Sequence, residues 1–256
     1  MLAGSTDVKE ILKELVLLQE QHADFSLEQF QSATSAFQYC LLYSLISKYA
    51  PSCSRILDWG CGAGHCSYVL QRLGYFVHAY GFNSYPLISL LSKKEKFVFR
   101  KADHSSPVNI PFPENEFDLV ASVGVLEHVR DLGGKEVLSL KEIARILRPG
   151  GHFICYHFPN KYSLFENITR KYRKNTFSHQ YTYTKEDIVN LCRESGLLAV
   201  EIKMYNFLPR NIVGRFPGFL RHSALFNYIY NMIDNILTGL LGFLCQNYYF
   251  VAKKSQ

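Results

Sequence analysis

Apolar residues recur at every third or fourth position along two N-terminal segments, and this spacing predicts a helix in each. The first helix is expected over 8–20 and the second over 27–49, where Pro51 ends it. The apolar stripe of the first helix consists of Val8, Ile11, Leu12, Leu15 and Leu18. Both helices therefore have a face that other elements must cover.

After Pro51, short apolar runs alternate with stretches of helical spacing. The expected strands are 55–58, 75–80, 97–100, 117–122, 152–157, 197–205 and 248–253. The expected helices are 65–73, 86–92, 135–147 and 185–195, the third ended by Arg-Pro-Gly-Gly at 148–151 and the fourth by Gly196. Strands that alternate with helices predict an α/β fold, with a parallel sheet and helical crossovers.

The composition is typical of one sizeable core. Of 256 residues 48% are apolar and 20% charged, which excludes a disordered chain and a small disulfide scaffold. The seven cysteines include no Cys-x-x-Cys pair, and the N-terminus lacks the pattern of a secretory signal. We therefore expect reduced thiols in a cytoplasmic protein. The net charge of +6 permits an anionic partner without requiring one.

The strongest chemical signal is the segment Ile-Leu-Asp-Trp-Gly-Cys-Gly-Ala-Gly-His at 56–65. Gly60, Gly62 and Gly64 alternate directly after an expected strand and before an expected helix. Glycine lets the backbone turn tightly and approach a ligand, and the helix start offers free N–H groups. Asp58 lies at the carboxyl end of the strand, where open α/β sheets bind ligands.

Two nucleotide sites do not fit this segment. A phosphate loop needs a Lys-Ser/Thr pair after its last glycine, but His65 and Cys66 follow Gly64. A dinucleotide site needs a different glycine spacing and an acid about 20 residues on. No acid occurs between Asp58 and Glu95. A turn without any ligand would not need three alternating glycines beside an aspartate.

With this turn and several later blocks, the sequence resembles the class I S-adenosylmethionine-dependent methyltransferases. The blocks are Asp58–Gly64, Ala102-Asp103, Ile110–Val120, Val125–Val129, Arg145–Gly151 and Tyr181–Asp187, with Gly196 after the last. They follow the family's order and spacing over about residues 53–205. Among the members of that family, these blocks are most similar to those of small-molecule enzymes such as the ubiquinone-biosynthesis O-methyltransferases.

The resemblance implies a Rossmann-like, seven-stranded, mostly parallel sheet with helices on both faces and an antiparallel last strand. N-terminal helices and a C-terminal helical cap would be added to it. The implied segments are helices at 1–50, a methyltransferase core at 51–206, a helical insertion or lid at 207–245, and a closing strand and tail at 246–256. Together they would form a single domain.

The resemblance also implies a site for S-adenosylmethionine. Its methionine end would be held by Asp58, Gly60, Cys61, Gly62 and Gly64. Asp103, with His104 beside it, would accept a hydrogen bond from the adenine amino group. Ser122, Val123 and Gly124 would line the floor of the site.

One position departs from the family pattern. The family's second strand usually ends in an acid that binds both ribose hydroxyls, but this chain has Gly81 there, followed by Phe82 and Asn83. We expect these three residues to line the cofactor, with Asn83 or a water as a partial substitute. Loss of a charge-assisted hydrogen bond, about 1.5–3 kcal/mol, would weaken binding roughly 10- to 100-fold.

Methyl transfer to oxygen needs an acceptor that is positioned and deprotonated, and histidine suits the second task. His157 is the first candidate for a general base and His128 the second. His179 is a candidate for substrate contact, and each of the three could equally pack and hydrogen-bond locally. An N-terminal wall of the acceptor pocket is expected from Phe37, Tyr39 and Tyr43.

A metal site is not expected. Glu127-His128 resembles a stretch of metal-dependent methyltransferases that carry a further acid three residues earlier, and Gly124 stands there in this chain. Oxygen-rich coordination of a divalent cation is therefore poorly supplied.

The insertion at 207–245 is apolar and aromatic and has the spacing of amphipathic helices. It could cap the sheet edge, form a lid over an apolar acceptor pocket, or lie on a membrane with its arginines toward anionic headgroups. The run 235–252 is too polar to be a good membrane span.

The sequence therefore predicts methyl transfer from S-adenosylmethionine to a small or lipophilic acceptor, on oxygen. A non-catalytic scaffold of the same fold is the alternative from another class, motivated by Gly81. An RNA methyltransferase is a third, motivated by the basic cluster at 170–174.

Overall fold

A computed structural model describes residues 7–106, 108–172 and 179–255. The chain divides into two compact units. The first runs to Lys101 and includes Arg210–Ile233, and the second comprises Ala102–Pro209 and Asp234–Gln256. The segment boundaries expected from the sequence stay predictions.

The first unit contains three parallel strands. They are β1 (Arg55–Trp59), β2 (Phe76–Gly81) and β3 (Phe97–Lys101). Its helices are α1 (Val8–Gln21), α2 (Ala33–Phe37), α3 (Tyr39–Tyr49), α4 (His65–Arg72), α5 (Pro86–Leu91) and α9 (Gly218–Arg221). Short 3-10 turns cover Ala23–Phe25, Glu28–Phe30 and Arg210–Arg215.

The second unit contains four strands. They are β4 (Phe117–Val123), β5 (Leu147–Pro159), β6 (Leu197–Tyr205) and β7 (Asn247–Lys254). Its helices are α6 (Glu136–Ile146), α7 (Leu164–Tyr172) and α8 (Lys185–Glu194), with 3-10 turns at Leu126–Leu132 and Gly242–Leu244. Helix α10 (Ala224–Leu241) begins in the first unit and ends in the second.

The seven strands form one sheet in the order β3-β2-β1-β4-β5-β7-β6. β4 and β5 are parallel, whereas β7 is antiparallel to both β5 and β6. The prediction of a seven-stranded, mostly parallel sheet with an antiparallel last strand is confirmed. β1 is buried at four of its five positions and β4 at five of seven, without the alternation of a one-faced sheet, as expected where helices cover a parallel sheet.

The expected continuous helix over 27–49 is wrong. The structure replaces it with a 3-10 turn, α2 and α3. Ser32 caps α2, because its hydroxyl accepts from the Ser35 N–H while Ser35 Oγ accepts from the Ser32 N–H. Serine side chains that bond nearby backbone groups start a helix rather than continue one.

The glycine pair after α6 is part of a strand rather than of a loop. α6 ends at Ile146, and β5 begins at the next residue and runs through Arg148-Pro-Gly-Gly. Gly150 has φ +77, and the pairing of β5 with β4 shifts register between Phe117 and Leu119. A local irregularity thus lets the glycines remain within the strand.

Arg210 fixes the insertion within the first unit. Its guanidinium is buried and donates to the Thr34 carbonyl and to Asn231 Oδ1. It also lies 6.0 Å from the ring centre of Phe37 and 5.8 Å from that of Tyr230. Since Thr34 and Phe37 belong to α2 while Tyr230 and Asn231 belong to α10, one cation joins the two helices.

Among the described residues, none of the helices combines the length and apolar character needed to cross a bilayer.

Candidate functional site

The turn between β1 and α4 is held against the end of β2. The N–H groups of Gly60 and Cys61 both donate to the Tyr80 carbonyl, at 2.8 and 3.0 Å. The N–H of Gly64 donates back to the Cys61 carbonyl at 2.8 Å. Gly60, Gly62 and Gly64 have φ of +75, +48 and +93, which glycine adopts without steric cost.

The same turn leaves backbone groups free for a ligand. Gly64 is the N-cap of α4 and offers the first turn no side-chain acceptor, although the Ser67 N–H in that turn donates to Asp58. A Cβ on Gly62 would meet only the Gly60 carbonyl, at 3.9 Å, so the space above this glycine is open. This geometry fits an anionic group such as a ligand carboxylate.

Asp58 supports the turn from beneath. It is 1% exposed, and its Oδ2 accepts from Ser67 Oγ at 2.6 Å, which ties the end of β1 to α4. Burial raises the pKa of Asp58 to about 6, while the hydrogen bonds from Ser67 oppose that shift. Asp58 therefore positions the turn.

Gly81, at the place of the missing acid, lies directly beside the turn. A Cβ built on it would meet Cys61 Sγ at 3.0 Å and the Cys61 nitrogen at 3.6 Å. Cys61 is buried, and burial raises the pKa of its thiol, so it fills this space as a neutral group. Phe82 is half-buried and Asn83 exposed.

The remaining predicted cofactor residues belong to the second unit. Asp103 is exposed and accepts from Ser105 N and Oγ at 2.9 and 2.7 Å, and these bonds lower its pKa; His104 is exposed beside it. Ser122 is fully buried at the end of β4, and Val123 is half-buried. Gly124 has φ +71 and donates to the Tyr156 carbonyl at 2.9 Å.

His128 and His179, predicted for different roles, lie side by side. Their rings stack with centres 5.8 Å apart. One ligand atom each from Glu127, His128 and His179 lies within 4.8 Å of the others. His128 Nδ1 is 2.9 Å from an oxygen of Asp131, and His179 Nδ1 is 3.5 Å from one of Glu166. Both histidines therefore already have a carboxylate partner, and the absence of a metal stays a prediction.

His157 is held in an unusual backbone conformation at the end of β5. Its φ is +68, in the region that favours glycine, and the pairing with β7 shifts register between Cys155 and Phe158. Tyr205 Oη accepts from the His157 N–H at 2.9 Å and lies 2.9 Å from its Nδ1. A non-glycine residue fixed in this region often marks a functional position.

The predicted N-terminal pocket wall is packed into the first unit. Tyr39 and Tyr43 are buried on α3, and Phe37 is half-buried on α2. Tyr39 stacks on Phe30 with ring centres 5.2 Å apart and meets His65 edge-on at 5.1 Å. Their role in substrate binding stays a prediction.

Sequence reasoning missed the roles of Ser67 and His65 beside the glycine turn, and the burial of Glu127. Ser67 bonds Asp58, and burial lowers the pKa of His65 to about 4, which keeps that ring neutral. Glu127 is 4% exposed, and its Oε2 has no hydrogen-bond partner in the described part of the chain. The sequence indicated Glu127 only as a candidate metal ligand beside His128, and its burial depends on tertiary packing.

The basic cluster at 170–174 is described only as far as Tyr172 and otherwise lies outside the described residues. Arg170 Nη2 donates to the His179 carbonyl at 3.0 Å and lies 3.9 Å from Glu166. Its charge is thus used within the protein, which weakens the case for an RNA-binding face.

A family model described as a methyltransferase domain matches residues 57–155, from β1 through the glycine turn to β5. Residues 57–155 are a class I S-adenosylmethionine-dependent methyltransferase domain. The resemblance expected from the sequence is confirmed, and with it the cofactor class. The matched stretch contains every predicted cofactor residue.

Relatives match over part of their length. An uncharacterized methyltransferase of Schizosaccharomyces pombe is 32% identical over 129 residues, covering 45% of this chain and 43% of that protein. A ubiquinone biosynthesis O-methyltransferase of Ruegeria pomeroyi is 26% identical over 163 residues, covering 60% of this chain and 64% of that protein. The chain spans about half the length of the first curated relatives it matches, 43% and 56%.

A crystal structure of an S-adenosylmethionine-dependent methyltransferase from Methanosarcina mazei has the same fold. It superposes with a TM-score of 0.58 at 18% identity, covering 83% of this chain and 98% of that one. At this identity the likeness establishes the fold of the methyltransferase domain alone.

The buried carboxyl of Glu127 predicts a pH-dependent stability. Burial raises the pKa of Glu127 to about 8 from an ordinary value of 4.5. Between these values the folded chain keeps a proton that the unfolded chain releases, so the free energy of unfolding falls as pH rises through this window. We expect Glu127→Gln to flatten that fall, by a few kcal/mol at most over the window. Urea denaturation from pH 5 to 8 measures it.

The exposed Glu186→Gln is the matched control and should leave the pH dependence unchanged. If Glu127→Gln shows the same slope as the unmodified chain, then Glu127 does not carry the proton.

Proposed function

We propose that this protein is an enzyme that transfers a methyl group from S-adenosylmethionine to a small or lipophilic acceptor, on oxygen. The observation that carries the proposal is the open, left-handed glycine turn over the buried Asp58, within a methyltransferase domain. The names of two relatives, the ubiquinone biosynthesis O-methyltransferase and a sterol 24-C-methyltransferase of Pneumocystis carinii, support a lipophilic acceptor. The proposal includes a cytoplasmic setting, in which the seven cysteines, none of them joined in a disulfide, would stay reduced.

The residues of the turn fit the cofactor's amino-acid end. Its carboxylate would meet N–H groups at the start of α4 ahead of Ser67, and Gly62 leaves room for the approach. Asp103, exposed and kept ionised by Ser105, would accept from the adenine amino group. The ribose would lack a carboxylate partner at Gly81, and Asn83 would substitute in part.

When bound, the cofactor supplies a methyl group on a positively charged sulfur, so the protein need not activate the carbon. The chain must position the acceptor and take its proton. We assign to His157 the role of general base that removes the proton of the acceptor. In the required tautomer Nδ1–H donates to Tyr205 Oη, which also accepts from the His157 N–H, and Nε2 is left as the base. Tyr205 is then a positioning residue.

The glycine turn gives a direct test of cofactor binding. Alanine at Gly62, with φ +48, is strained by about 1–2 kcal/mol, and the turn must distort to relieve it. We expect Gly62→Ala to weaken S-adenosylhomocysteine binding roughly 10-fold in titration calorimetry. Gly74→Ala is the matched control, because Gly74 has φ +88 with open space around it but lies in the turn after α4. Equal affinities of both variants, or no binding by the unmodified chain, would contradict the proposal.

A second prediction addresses the missing ribose acid. Gly81→Asp alone should gain little, because its Cβ would press on Cys61 Sγ at 3.0 Å. Combined with Cys61→Ala, it should tighten cofactor binding roughly 10- to 100-fold through the restored charge-assisted bonds. Cys61→Ala alone is the control. No gain in the double variant would mean that the cofactor's ribose does not reach Gly81.

The base assignment predicts a graded loss of turnover. His157→Ala should lower kcat roughly 100-fold or more, as loss of a general base does. Tyr205→Phe should lower it less and shift the pH at which the rate rises, while leaving KM unchanged. His152→Ala, five residues earlier on the same strand, is the control and should retain activity. Undiminished kcat in His157→Ala would remove the assignment.

The non-catalytic scaffold remains a second candidate, since Cys61 fills the space beside Gly81. Cofactor binding without turnover on a panel of phenolic and lipid acceptors would favour it.

A further inference from the structure

Helix α10 turns its apolar side outward. Seven apolar side chains along it are between 41% and 74% exposed. They are Leu225, Tyr228, Ile229, Met232, Ile233, Ile236 and Leu240. The spacing of three and four residues places all seven on one side of the helix, which we call the outer face of α10. From Leu225 to Leu240 this face is about 22 Å long at 1.5 Å per residue.

Most polar side chains of α10 lie on its inner side and contact the protein, whereas Asn235 is exposed beside the outer face. Asn231 Nδ2 donates to the Asn227 carbonyl, and Asn231 Oδ1 accepts from Arg210. Asp234 is 2% exposed and accepts from the Leu208 N–H at 2.8 Å. Thr238 Oγ1 lies 3.7 Å from Cys245 Sγ. A helix at a water-exposed surface has the opposite arrangement, with its apolar side buried.

The exposed charges within residues 207–245 are of one sign. Residues 207–245 carry Arg210, Arg215, Arg221 and a single acid, Asp234. Arg210 and Asp234 are buried, which leaves Arg215 exposed and Arg221 half-buried. Phe219, 76% exposed on α9, lies in sequence between these two arginines. Within 207–245 the exposed surface is therefore apolar, with Arg215 as its exposed cation, because Arg221 donates to the Gly214 carbonyl. Glu20 of α1 lies 3.2 Å from His222, just before α10.

We infer that the outer face of α10 docks on an anionic lipid bilayer and lies in its interface without crossing it. The apolar side chains would enter the boundary between headgroups and acyl chains, as those of interfacial amphipathic helices do. Arg215 and Arg221 would remain at the level of the negative headgroups. Arg210 keeps the inner side of the helix on the protein during this contact. The inference rests on α10 and does not depend on methyl transfer.

The test is flotation of the full chain with vesicles of phosphatidylcholine alone or with added phosphatidylserine. We expect the unmodified chain to float with the anionic vesicles. Leu225→Gln combined with Leu240→Gln should reduce the bound fraction at least about 10-fold, because two exposed leucines no longer enter the bilayer. Arg215→Gln should weaken binding to anionic vesicles about 5-fold and leave binding to neutral ones unchanged.

The matched control is Leu138→Gln combined with Leu198→Gln. These leucines are 43% and 63% exposed on α6 and β6, and their replacement should not change flotation. Circular dichroism of each variant checks that the fold is kept. Absence of flotation by the unmodified chain, or an equal loss in both double variants, would overturn the inference. So would a dimer in solution that depends on Leu225 and Leu240 while no vesicle binding occurs, since the outer face would then cover a second copy.

Discussion

In the first unit, the conformation of the glycine turn depends on two hydrogen bonds to one carbonyl. Because Gly60 and Cys61 both donate to the Tyr80 carbonyl, the glycine turn cannot move independently of the end of β2. Asp58 and Ser67 fix the same turn from the side of α4. The left-handed glycines are thus held in place before any ligand arrives, and little ordering cost remains for binding. A turn of this kind requires glycine for its backbone and a buried acid for its support.

In the second unit, side chains rather than glycines hold the unusual conformations. His157 keeps a left-handed backbone because Tyr205 bonds both its N–H and its ring. Glu127 stays buried, and that environment favours its protonated form. Such arrangements cost stability and are found where a site needs a fixed geometry. The antiparallel β7 makes this possible, because its irregular pairing with β5 leaves space for the bend at His157.

Sequence periodicity predicted all seven strands in their order along the chain. Burial within a sheet imposes apolar runs, and these are visible in the sequence alone. Periodicity failed at 27–49, because the bonds between Ser32 and Ser35 are local chemistry that it does not report. The stacking of His128 on His179 joins residues 51 positions apart and depends on tertiary packing. Amphipathic spacing at 207–245 was also visible, but it could not tell which side of α10 would face outward.

The contact between Cys61 and Gly81 has an evolutionary consequence. The two positions are 20 apart in the chain, yet the thiol of one occupies the volume that any side chain at the other would need. A lineage with this pair is under epistasis: a larger residue at 81 becomes tolerable only after 61 has shrunk, whereas the reverse order passes through an overpacked intermediate. A residue larger than glycine at 81 is therefore expected only in descendants whose residue 61 is smaller than cysteine, so natural variation at 81 is informative only when 61 is scored beside it.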